Sequence, residues 1–73
     1  HIDALEIIVS ENSKYIYRKY TIEDIPESMC LGAIIREDKC ITPSYKKTSI
    51  IPGDKLLIFL HQESISKAES LFK

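Results

Sequence analysis

Tryptophan is absent from these 73 residues, and glycine, cysteine and histidine occur twice each. Each scarcity removes a class of chemistry. With only Gly32 and Gly53 there is no glycine-rich phosphate loop of the Walker or dinucleotide kind, because both need closely spaced glycines that let backbone N–H groups approach phosphate. His1 and His61 stand far apart, and neither is at zinc-ligand spacing from Cys30 or Cys40, so no metal site is expected. Hydrolysis by a serine or cysteine would need a histidine oriented by a carboxylate. His61 is the one credible base, and the serines fall in loops and in the last helical stretch, so the chain is read as non-enzymatic. Charge of one sign is also missing. The formal net charge is -1 and the pI about 6.1, whereas a nucleic-acid-binding domain commonly has a pI above roughly 9; no nucleic-acid partner is expected. No apolar run approaches the ~20 residues that cross a bilayer, and the N-terminus does not show the basic-then-apolar layout of a secretory signal, so a soluble domain is expected.

What is present is a chain 44% hydrophobic and rich in isoleucine. Residues 1–73 make one domain at most, with a thin core. Domains this small gain buried area from disulfides, a metal or a partner subunit, and the composition leaves a partner subunit as the expected device. His1, in place of Met, suggests a piece of a longer chain, with residues 1–3 as tag or linker.

Three apolar runs between Cys30 and Leu60 organise the sequence, separated by an Arg36 to Lys39 turn and by Pro52-Gly53-Asp54. Ala4 to Val9 reads as a first strand, being rich in β-branched residues and broken only by Glu6. Thr21, with Asp24 three places on, resembles a capping box, and Pro26 disfavours helix at Ile25, so a short helical turn or two is expected, starting there or near Tyr17. Cys30 to Arg36 is apolar on both faces apart from Gly32, the pattern of a central strand covered on both sides. A tight loop at Glu37-Asp38 returns the chain through Lys39 to Pro43, with Arg36 facing Lys39 and Ile35 facing Cys40. Pro and Gly occupy the two central positions of a type II turn at Ile51 to Asp54. Lys55 to Leu60 is then an interior strand, and Glu63 to Phe72 a closing helix with Ile65, Ala68, Leu71 and Phe72 at helical spacing. The fold class is α+β: a small, mostly antiparallel sheet in the order strand, short helix, three strands, C-terminal helix.

Strict period-two alternation places Leu31, Ala33, Ile35, Cys40 and Thr42 on one face of the hairpin, and Cys30, Gly32, Ile34, Ile41 and Pro43 on the other. The cysteines then lie on opposite faces and are expected to be buried or semi-buried free thiols, acting as small hydrophobes. Two strands apolar on both faces exceed what the helices can cover, so self-association is the natural inference; Leu31, Ala33 and Ile35 are the candidate dimer-interface residues, although the opposite face is not excluded. Lys14, Arg18, Lys46 and Lys47, beside Tyr15, Tyr17 and Tyr45, are candidate anionic-ligand residues. The competing reading is a solvated face, which Glu11, Glu23 and Asp24 among those charges favour.

Residues Glu6 to Phe72 resemble the TrkA C-terminal domain, the C-terminal lobe of RCK (regulator of potassium conductance) proteins, and most closely the last such domain of the Trk potassium-uptake regulator. The resemblance rests on IEDIP at Ile22 to Pro26, LGAIIRED at Leu31 to Asp38, Ile41 and Pro43, IIPGDKLLIFL at Ile50 to Leu60, and SKAESLF at Ser66 to Phe72. It implies a cytoplasmic regulatory domain, peripheral to the membrane's inner face, that homodimerises. It also implies upstream domains binding NAD or another nucleotide, which couple this domain to a membrane potassium transporter; no cofactor is expected in residues 1–73 themselves. The alternative it leaves open is a ligand-sensing module that takes an anionic metabolite or nucleotide at a dimer cleft. The sequence departs from the family at Tyr17 and Ser28, where Gly is common, and at Gln62, where a better helix cap is usual. Some relatives bind regulatory nucleotides through an Arg after the short helix; Pro26 and Glu27 stand there here, so that site is not carried over.

Overall fold

A computed structural model describes residues 1–44 and 48–73. Strands β1 (Asp3–Ile8), β2 (Met29–Arg36), β3 (Lys39–Ile41) and β4 (Lys55–Leu60) form one sheet. Its order is β1-β4-β2-β3 and every pairing is antiparallel. Helix α1 (Lys14–Tyr17) and a 3-10 turn (Ile22–Asp24) precede β2; a second 3-10 turn (Gln62–Ser64) leads into α2 (Ile65–Phe72). The α+β layout and the element order expected from the sequence are those observed.

Local chemistry explains the corners. Ser13 caps α1, its hydroxyl accepting from the Ile16 N–H at 3.3 Å, and Lys19, at φ 55°, ends that segment in the left-handed region. Asp24 closes its 3-10 turn by accepting from the Thr21 N–H at 2.7 Å, the reciprocal arm of a capping box. Glu37 and Asp38 both have positive φ, 49° and 66°, the signature of a type I′ hairpin turn, whose twist matches that of the flanking strands. The register it sets is the expected one, Ile35 opposite Cys40 and Arg36 opposite Lys39. Gly53, at φ 91°, takes the left-handed position of a type II turn closed by the Asp54 N–H to the Ile51 carbonyl at 3.2 Å.

One face of the sheet carries the core. Ile7 of β1, Leu56, Ile58 and Leu60 of β4, and Met29 and Ile34 of β2 are buried there beneath Tyr15 of α1 and Ala68, Leu71 and Phe72 of α2. Tyr15 and Phe72 pack with ring centroids 5.2 Å apart. The end of α2 is tied back to the exit of β1 by the Ser10 N–H on the Phe72 carbonyl at 2.9 Å.

Strict alternation fails in β2. Between Leu31 and Ala33 the register against β4 shifts by one residue: Leu31 pairs with Ile58, whereas Ala33 pairs with Leu57. Gly32 occupies this bulge, and a Cβ there would come within 2.6 Å of the Phe59 ring. The bulge rotates everything before it relative to everything after it. Leu31 consequently joins the core side, while Ala33 and Ile35 face the other way, so the expected grouping of Leu31 with Ala33 and Ile35 is corrected. Cys30 and Cys40 are likewise corrected. They pair with Phe59 and Ile35 respectively, share the face away from the helices, and are free but exposed.

An ion pair between the half-buried Arg36 and the buried Asp54 locks the end of the hairpin to the type II turn. Arg36 donates to Asp54 through Nε at 2.8 Å and a terminal nitrogen at 2.7 Å, a two-pronged contact, and the same terminal nitrogen reaches the Ser49 carbonyl at 2.9 Å. The second Asp54 oxygen also accepts the Ile51 N–H at 2.9 Å. The Asp54 main chain holds β1, its carbonyl accepting from the Val9 N–H at 2.9 Å. Burial alone would raise the Asp54 carboxyl pKa; the hydrogen bonds from Arg36 and Ile51, with the Arg36 charge, outweigh it, and the carboxyl lies below its ordinary value.

Candidate functional site

Both helices lie on one side of the sheet, and among the described residues nothing covers the opposite side. There β1 presents Ala4, Glu6 and Ile8, β4 presents Lys55, Leu57 and Phe59, and β2 presents Cys30, Ala33 and Ile35, as the cross-strand register dictates. Ile8 is 59% exposed and Phe59 39%, both high for large apolar side chains. Ala33, Ile35 and Leu57 are half-buried by their neighbours alone. The two charges in the patch are of opposite sign, with Lys55 Nζ 3.9 Å from Glu6. Three strands about 4.8 Å apart, each rising about 3.3 Å per residue, make a largely apolar surface of roughly 200 to 300 Å² in projection. The largest apolar patch on an ordinary monomer is about 300 to 600 Å², so it is the exposed Phe59 and Ile8 that single this face out, and not its size. The expectation that β2 and β4 are covered on both sides is met by the fold on one side only.

Of the candidate interface residues, Ala33 and Ile35 lie on this open face. Leu31 lies across the sheet, where it lines a groove of about 500 Å³ with Ile22, Ile25, Pro26 and Pro43. The residues the sequence did not single out are Phe59, Leu57 and Ile8. A partial signal existed: the ring of Phe59, which pairs with Cys30, lies over the one glycine of β2, an arrangement in which an aromatic ring covers the gap left by the absent side chain.

Two of the four candidate anionic-ligand residues fall among the described residues. Lys14 opens α1 and Arg18 follows its last residue; Lys46 and Lys47 lie outside the described residues. Lys14 lines a cleft of about 280 Å³ between α1 with its following 3-10 turn and α2, where Lys67 and Ser70 of α2 meet Tyr20, Asp24 and Pro26; Arg18 does not line it. Beside it, Tyr15 is buried and its hydroxyl has no hydrogen-bond partner among the described residues. Burial first, and the Asp24 charge second, push its pKa up to about 12.

The surface that stands out is therefore an open sheet face, and comparison with known proteins bears on what it serves. No family model matches the chain. Over 70 residues it is 29% identical to a Trk system potassium uptake protein TrkA homolog of Archaeoglobus fulgidus. It resembles a segment of a Trk-system protein. The aligned stretch covers 96% of this chain but 16% of the relative, so the likeness reaches one segment of a much longer protein. Among the described residues no helix is long and apolar enough to cross a membrane.

Proposed function

We propose that this chain is a self-associating regulatory domain of a Trk-type potassium-uptake regulator, cytoplasmic and without chemistry of its own. It pairs as a homodimer and so fixes the arrangement of attached nucleotide-binding domains, which in turn act on a membrane potassium transporter. NAD or another nucleotide belongs to those attached domains in this reading. The observation that carries it is the open apolar face of β1, β4 and β2 on a segment similar to part of a TrkA homolog. A second copy fits the face in two respects. A two-fold contact needs a patch complementary to itself, and Glu6 and Lys55 in one patch supply both signs of charge for each other across an axis. Burying Phe59, Leu57, Ile35 and Ile8 would also enlarge a core that one layer of short helices leaves thin.

Sedimentation equilibrium of the full chain tests this. The expected result is a monomer–dimer equilibrium at micromolar concentration that shifts to monomer when Ala33→Glu or Phe59→Glu places an unpaired charge in the contact. Far-UV circular dichroism of each variant checks that the fold is retained. A wild-type chain that stays strictly monomeric at high micromolar concentration would overturn the dimer reading.

A further inference from the structure

We infer that the cleft between α1 and α2 is a binding site for a small organic anion, with Lys14 and Lys67 holding the charged group and Tyr20, Pro26 and Leu71 the apolar part. The site lies on the helical side of the domain, away from the open sheet face, and stands whether or not that face dimerises.

Two observations carry it, and a third accompanies them. First, the cleft has the walls a ligand needs. At about 280 Å³ it sits near the lower end of small-molecule pockets, about 300 Å³, and combines apolar walls with a few convergent polar groups. Second, its charges are unspent in one direction. Lys14 and Lys67 line it from different elements, and among the described residues neither forms an ion pair. The one carboxylate in the lining, Asp24, already accepts from the Thr21 N–H at 2.7 Å and hydroxyl at 3.2 Å. Two cations against one engaged carboxylate leave a net positive cleft, and the Ser70 hydroxyl adds a neutral donor beside Lys67. Third, the protein leaves a buried donor unsatisfied at this place. The Tyr15 hydroxyl has no partner among the described residues, and its side chain packs edge-on against Tyr20, ring centroids 6.0 Å apart. It also lies near enough to Asp24 for that charge to hold its proton on. Tyr20 and Asp24 are both cleft residues. Buried polar groups are nearly always hydrogen-bonded, and this orphan, enclosed behind Tyr20 and out of a ligand's direct reach, marks imperfect packing beside the cleft.

The chemical class follows from the lining. The anionic group is a carboxylate or a phosphate monoester, since lysines bind either as point charges. The attached body is compact and apolar or aromatic, to lie against Tyr20, Pro26 and Leu71. A dinucleotide is too large for the volume.

The test is titration of the full chain, followed by backbone amide NMR, with four probes: inorganic phosphate, phenyl phosphate, benzoate and benzyl alcohol. Phenyl phosphate, benzoate or both should bind with millimolar or better affinity, shifting amides of residues 14, 20, 24, 67 and 70 while leaving the open sheet face unmoved. Which of the two binds more tightly identifies the anionic group. Benzyl alcohol should not bind, and inorganic phosphate should bind more weakly than the aromatic anion. Lys67→Gln, on an exposed helix position, should keep the fold and weaken the aromatic anion by roughly 5 to 10-fold, as loss of one charged contact does. Lys14→Gln should do the same, and Arg18→Gln should not. No shifts with either aromatic anion, shifts centred elsewhere, or binding unchanged in both Lys67→Gln and Lys14→Gln would overturn the assignment.

Discussion

Replacing Asp54 by Asn changes one oxygen to an NH₂ and removes one charge, with almost no change in shape, and it should cost this domain a large share of its stability. Asp54 is almost fully buried, and its carboxylate accepts three hydrogen bonds, two from Arg36 and one from the Ile51 N–H. Hydrogen bonds to a charged group contribute about 1.5 to 3 kcal/mol each before cooperation and solvent screening are considered. The Arg36 side chain is 31% exposed and recovers part of its loss by turning to water. The amide also retains one acceptor oxygen, but it presents a donor to a guanidinium that has only donors. These considerations give a loss of about 2 to 3 kcal/mol, against a total stability of roughly 4 to 11 kcal/mol for a chain of this length. In a domain this small that corresponds to a drop in melting temperature of about 10 to 20 °C.

The pH dependence separates this account from one in which Asn simply packs badly. Folding lowers the Asp54 pKa, so the stabilisation from its charge is fully present above the unfolded-state value of about 3.9 and is lost as pH falls through that value towards the lower folded one. Urea unfolding followed by circular dichroism at pH 7 should therefore show the full gap between wild type and Asp54→Asn. The gap should close as the pH is lowered below about 4, since only the wild type loses a charge there. A gap below about 0.5 kcal/mol at pH 7, or one that stays the same at pH 3, would refute the claim that the charged pair locks the hairpin to the turn.

Two further substitutions test other joints of the fold. Asn at Glu37 together with Gly at Asp38 installs the preferred residues for the two positive-φ positions of a type I′ turn, and should raise stability by about 0.5 to 1.5 kcal/mol in urea unfolding with an unchanged m-value. Phe72→Ala deletes a ring that is 0% exposed and packed against Tyr15; the expected loss is about 3 to 5 kcal/mol, seen as a lowered midpoint in urea unfolding followed by circular dichroism.

The parts of the fold legible in the sequence are those set by neighbours in the chain. The Arg36 to Lys39 hairpin, its register, the Pro52-Gly53 turn and the Thr21–Asp24 box each depend on residues within four places of one another, where turn and capping chemistry act directly. The bulge at Gly32 was not legible, because period-two reasoning counts every residue as paired. A glycine inside an apolar strand was the one available hint, and its meaning depends on Phe59, which lies 27 positions later. Asp54 reads in sequence as a polar residue ending a turn, and nothing local indicates that Arg36, 18 residues earlier, makes it a buried anion. Lys67 and Ser70 fall on the polar stripe of α2, so they read as solvent-facing; only the packing of α1 beside α2 brings them towards Lys14.

The same bulge decides which surface the protein has to offer. Had β2 kept an even register, Leu31, Ala33 and Ile35 would share one side, and Met29 and Ile34, now both in the core, could not share a side with each other. Inserting one unpaired residue at Gly32 keeps Met29, Leu31 and Ile34 on the helix-covered side and turns Cys30, Ala33 and Ile35 to the open one. An extra residue in the strand thus gives both sides of β2 an apolar lining, one for the domain's own core and one left over. The surplus contributes little to a lone domain, where those side chains meet water folded or unfolded, and becomes stabilising once a second surface covers it. Deleting Gly32 removes the extra residue and leaves Met29, Leu31 and Ile34 alternating with Cys30, Ala33 and Ile35 against unchanged partners in β4, so the variant should keep both linings, the fold and the association. A deletion variant that lost its fold, as read by circular dichroism, or its association, as read by sedimentation, would show that Gly32 is not the unpaired residue that divides β2 in this way.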